Sequence, residues 1–153
     1  MQKRKGFTLI ELLLVIVIIA ILAVVVFVAL NPVQRMKDSR DARRTTDVTT
    51  VLSAVHSYIV DNSGALPTGL TAGGAQVQLG STGGAALSGK CVVAANAHAD
   101  LSTPLAKYLK SMPIDPSGGT AAATGYAIEV DANNLITITA CNTEAATVIA
   151  ASR

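Results

Sequence analysis

The sequence has no tryptophan, and phenylalanine and tyrosine together make up only 3% of it. Aromatic rings usually carry much of a soluble core, so the hydrophobic half of the chain must be placed somewhere else. The scarcity also argues against base stacking on single-stranded nucleic acid and against electron conduction along aromatic rows. Charge is scarce as well. Charged residues make up 14% and the formal net charge is +2, too weak to point to a nucleic-acid partner. No glycine-rich phosphate loop, nucleophile elbow or clustered His/Cys/Asp metal set occurs, and no base–nucleophile pair can be assigned. The sequence therefore predicts a protein that is not an enzyme and has no cofactor. Cysteine is limited to Cys91 and Cys141, both in the distal half.

At 153 residues the chain has the size of one ordinary domain, and its apolar content is concentrated at one end. Phe7 to Leu30 form a block interrupted only by Thr8 and Glu11. As a helix it would span roughly 36 Å, at about 1.5 Å per residue, enough to cross a hydrocarbon core. Lys3, Arg4 and Lys5 precede it. They should stay cytoplasmic and put everything after Leu30 on the outer side. A secretory signal peptide has a shorter apolar region of about 7–15 residues. A plain signal anchor fits the length but gives no reason for Glu11. A carboxylate inside an apolar span marks a functional candidate with a partner to be named.

Asn31-Pro32 interrupts the helical pattern, because proline removes a backbone donor and clashes with the preceding turn. A kink or local melting is expected near Ala29 to Asn31. The pattern resumes beyond it. Val48, Val51, Leu52, Val55, Tyr58 and Ile59 recur at helical spacing, giving a one-sided helix from about Val33 to Asn62. Ser63-Gly64 and Pro67 end it. The charged stretch Arg35 to Asp47 reads as a solvated face with Lys37/Asp41 and Arg43/Asp47 as i,i+4 pairs. Contact with anionic headgroups or between subunits is the sharper alternative. His56 reads as core or interface packing, since no second metal ligand has suitable spacing.

A Gly/Ala/Thr-rich, loop-like stretch runs from Pro67 to about Gly89, with one short strand at Gln76 to Leu79. Thr103-Pro104 predicts a capped short helix through Lys110. Gly125 to Val130 and Leu135 to Cys141 alternate around the turn 131–134 and predict an antiparallel hairpin. A third strand is expected near Thr147 to Ala150. If this half is outside the cytosol, a Cys91–Cys141 disulfide is the default expectation; two buried free thiols are the alternative.

The run Lys5-Gly6-Phe7-Thr8-Leu9-Ile10-Glu11-Leu12-Leu13 resembles the class III signal of type IV pilins and type II secretion pseudopilins. Glycine, then phenylalanine, then glutamate four positions later opens a long apolar helix. The resemblance implies cleavage between Gly6 and Phe7 by a prepilin peptidase on the cytoplasmic side. It further implies N-methylation of Phe7 and retention of the helix. Glu11 would pair with the Phe7 amine of a neighbouring subunit in a filament, fixing axial register.

The implied organisation is a leader 1–6, a transmembrane or filament-core helix 7–30, its amphipathic second half 31–62 and a globular head 63–153. The fold class would be α+β, a long helix with a break at Pro32 packed on a small antiparallel sheet. The implied partners are further copies of the chain in a helical filament, the prepilin peptidase, a pilus assembly platform with minor pilins, and the membrane. No specific nucleic acid is expected. The protein would sit once through the cytoplasmic membrane and then in an extracellular pilus or a periplasmic or cell-wall filament.

Met112-Pro113-Ile114-Asp115-Pro116 resembles the Pro-x-Asp-Pro turn of major pseudopilins, some of which bind calcium nearby. The usual aromatic after the turn is absent, and Ser117-Gly118-Gly119 follows. Asp115, Glu129 and Asp131 supply oxygens without a spaced multi-carboxylate loop, so they are weak calcium candidates and no metal is expected. Three functions follow as expectations: a structural pilin for adhesion, motility or DNA uptake; a pseudopilin for secretion or competence; or a membrane-anchored binding domain.

Overall fold

A computed structural model describes residues 6–82, 90–145 and 147–153. The basic residues Lys3 to Lys5 and the end of the loop-like stretch lie outside them. The chain divides into two compact units, Met1–Met36 and Lys37–Arg153. The elements are α1 (Leu9–Leu30), α2 (Pro32–Asp61), β1 (Val77–Leu79), β2 (His98–Ala99), β3 (Tyr126–Val130), β4 (Ile136–Ala140) and β5 (Ile149–Ser152).

The expected break narrows to one residue. Asn31 takes a left-handed conformation, φ 40°, and its N–H donates to the Val28 carbonyl, closing α1. Its own carbonyl accepts from Gln34 and Arg35 at 3.1 and 3.3 Å, opening α2. Pro32 therefore falls at the first helical position, where a missing N–H costs nothing. The helix does not melt over Ala29 and Leu30.

Within the second unit, α2 packs on the sheet through the stripe the periodicity predicts. Val48, Val51, Leu52 and Val55 are buried against Leu79, Tyr126, Ile128, Val130, Ile136 and Ile138. Leu101 and Leu105 from the intervening loop close the same core. The opposite face of α2 is lined with Thr45, Thr49, Thr50, Ser53 and Ser57. Each of these hydroxyls donates to the carbonyl four residues earlier, at 2.7–3.1 Å. Ser63 and Gly64, both at positive φ, end the helix.

The five strands run in the order β2-β1-β3-β4-β5. The expected hairpin is present, with Ile128 opposite Ile138 at its centre. The sheet is mixed, because β1 pairs in parallel with the unforeseen β2. β5 lies two residues beyond the expected position, antiparallel to β4. The helix expected after Thr103 is a series of turns. Its bonds alternate between i−3 and i−4, from Leu105 to Leu101 and from Ala106 to Thr103. Pro104 and Pro113 leave too little chain between them to repay helix nucleation. On the far face of the sheet, Cys91 and Cys141 are bridged, with Cα atoms 5.1 Å apart, and cover Ala127 with Val93. The bridge spans 50 residues, for which chain entropy gives a stabilisation of about 4 kcal/mol.

Candidate processing and assembly site

Gly6 and Phe7 are exposed and lie outside any helix. A Cβ built on Gly6 would meet nothing within 4 Å among the described residues. Thr8 is extended (φ −82°, ψ 151°) and forms the N-cap of α1. Its hydroxyl accepts from the Glu11 N–H at 3.3 Å, while the Glu11 carboxylate accepts from the Thr8 N–H at 2.9 Å and from the Thr8 hydroxyl at 2.7 Å. This is a reciprocal capping box. It satisfies orphan donors at the helix start and holds the carboxylate one residue from the Phe7 nitrogen. The spacing Thr-x-x-Glu is itself a sequence signature of such a box, and it would have identified Thr8 as the partner of Glu11.

No residue of α1 is buried. By length and composition it can cross a membrane, with a mean hydropathy of 3.7 in its most apolar window. Glu11 is its sole ionisable residue. The free-standing apolar surface and the lone carboxylate at its start are the two properties that a packed core helix would not combine.

A second cluster, which sequence reasoning missed, sits at the start of the α2 segment of the head. Arg44 is fully buried. Its guanidinium donates to Asp115 at 2.6 and 3.0 Å, to Asp41 at 2.7 Å and to the Ser117 hydroxyl at 2.7 Å. Asp41 also accepts from the N–H groups of Glu144 and Ala145 at 3.2 and 2.8 Å. Arg40 forks onto Glu144 at 2.7–3.1 Å, and the Tyr126 hydroxyl donates to Asp47 at 2.7 Å.

Burial alone would raise the Asp115 carboxyl, but bonds from Arg44 and Ser117 outweigh it and hold it below its ordinary value. Asp41 follows the same balance, through Arg44 and the two amides. Hydrogen bonding to Asp115 raises Arg44. Tyr126 is pushed up first by burial and then by its bond to Asp47. Gly125 belongs to this arrangement. It sits at φ +87°, and a Cβ there would lie 2.5 Å from the Asp115 Cβ.

The charged stretch is thus only partly the solvated face it was expected to be. Arg43 reaches Asp47 at 3.6 Å, but Asp41 turns inward to Arg44. The three calcium candidates are not brought together. Asp115 is committed to Arg44 and Ser117, Asp131 folds its own turn through the Asn133 and Leu135 N–H groups, and Glu129 is exposed on β3. Among the described residues, no group of three or more His, Cys, Asp or Glu could hold a metal. His56 is near the protein surface and bonds the Arg153 carbonyl at 3.1 Å.

Residues 1–27 match the family model of the prokaryotic N-terminal methylation motif, the class III signal of type IV pilins and pseudopilins. No curated protein and no solved structure matches the chain.

Proposed function

We propose that the chain is a structural subunit of a type IV pilus filament, trimmed between Gly6 and Phe7 and methylated on Phe7 before it polymerises. One observation carries the reading. The methylation motif coincides with a helix that buries none of its apolar surface and opens on a capped carboxylate. Such a helix needs a lipid or helical environment. In a filament core the lone Glu11 needs a cation, and the Phe7 amine of a neighbouring subunit supplies one. The partners on this reading are the prepilin peptidase, the assembly platform with minor pilins, and other copies of the chain. The protein has a structural role and catalyses no reaction.

The test is the intact mass of the mature protein, followed by Glu11→Gln. Loss of residues 1–6 with one added methyl is expected. Glu11→Gln is expected to leave trimming in place and lower filament yield at least tenfold. An intact N-terminus in cells with active prepilin peptidase overturns the reading. Unchanged function of the Glu11 variant would return the chain to the simple membrane-anchored domains.

The pseudopilin reading is favoured by the Pro113-Ile-Asp-Pro116 turn, whose aspartate closes on Arg44. Long surface filaments seen by electron microscopy would decide for the pilus. Short filaments confined to the envelope, with activity lost in secretion or uptake, would decide for the pseudopilin.

A further inference from the structure

Helix α2 is held to the head by two kinds of contact. From Val48 to Val55 the grip is apolar, through five side chains buried in the core. From Lys37 to Asp47 the buried residues are Asp41 and Arg44, and the grip is polar. It consists of Arg40 on Glu144, Asp41 on two amides, Arg44 on Asp115 and Ser117, and Asp47 on Tyr126. Opening apolar contacts forfeits burial outright. Opening a buried ion cluster exchanges its bonds for hydration, so the net cost is smaller.

We propose that residues 37–47 of α2 form a latch that unwinds and leaves the head as one unit, with its boundary near Val48, while residues 48–59 stay seated on the sheet. From Arg40 to Arg44 the cluster is connected. Asp41 bonds both Arg44 and the amides of 144–145, and Arg44 bonds the 115–117 turn. Release of one member therefore loosens the others. The 142–145 segment begins one residue after the bridged Cys141, and the Lys90 ammonium donates to the Ala145 carbonyl at 3.0 Å. It is released as a short tethered flap. The device belongs to the head alone and holds whatever the chain assembles into.

The test is amide hydrogen exchange, read by mass spectrometry on the full chain in detergent micelles, with Asp115→Asn. Exchange at residues 41–47, at 115–117 and at 144–145 is expected to quicken together by at least tenfold. Residues 51–58 and the β3–β4 hairpin, which open only with the whole head, quicken with its lost stability but stay at least tenfold slower than those three sets. Equal protection throughout, quickening of 115–117 alone, or no change each overturns the latch. Should Asp115→Asn fail to fold, Glu144→Gln, at the edge of the cluster, replaces it. It is expected to quicken the same sets to a smaller degree, and the same three outcomes overturn the proposal.

Discussion

Helices α1 and α2 meet at Asn31 and obey opposite rules. α1 is apolar on every side and buries nothing. α2 is polar on balance and buries a narrow stripe that includes an arginine and an aspartate. The first leaves its hydrophobic surface to be covered by lipid or by other helices. The second hides charge inside a folded head because each charge finds an opposite one. Hydrophobicity alone therefore does not say which helix is interior; the partners of each side chain do.

Substitutions in the two helices sharpen this contrast. All three tyrosines lie in the second unit and tryptophan is absent, while Phe7 and Phe27 lie in the first, so circular dichroism read in the tyrosine band in micelles reports the head. Arg44→Met strands Asp115 and Asp41 and is expected to cost the head about 3–5 kcal/mol. Adding Asp115→Leu to it should recover much of that loss, since an apolar pair of similar volume replaces the ion pair. No recovery in the double variant would mean that the cluster acts through packing rather than charge. Leu52→Ala should cost about 2–4 kcal/mol, while Leu22→Ala in α1 should leave head unfolding within about 0.5 kcal/mol of wild type. An equal loss from both would abolish the distinction between the helices.

The periodic elements were legible before the structure. The α2 stripe and the β3–β4 hairpin follow from spacings of 3.6 and 2, and the Cys91–Cys141 bridge from the side of the membrane on which both cysteines were placed. β2 was not legible, since two residues carry no period. Arg44 was misread because its charge suggested solvent and its partner Asp115 is 71 residues away. Its phase held the missing signal. Residues 44, 48, 51 and 55 share one face of the helix, so Arg44 lies on the buried stripe itself. At the candidate site, Gly6, Phe7 and Glu11 are singled out by the motif alone, whereas the bond from Thr8 to Glu11 emerged from the capping geometry.

Acidification probes the same cluster more gently. The Asp41 and Asp115 carboxyls lie below their ordinary values in the folded head. Their stabilisation is complete above the unfolded carboxylate value near pH 4 and is lost as pH falls through the folded values. Thermal melts should therefore show stability falling below about pH 4. Asp115→Asn should be less stable at neutral pH and show a shallower acid slope; an unaltered slope would place the acid sensitivity elsewhere. The smallest effect belongs to the exposed Arg43, which reaches the partly buried Asp47. Arg43→Gln should shift stability by no more than about 0.5 kcal/mol, and added salt should erase the difference.

The threonines and serines on the outer face of α2 give that surface an unusual indifference to its surroundings. Their hydroxyl protons are already spent on the helix's own carbonyls, so these hydroxyls offer a neighbour no idle donor. Moving such a surface from water into a drier contact strips little hydration from it. A helix built this way can exchange one neighbour for another without rearranging its own bonds.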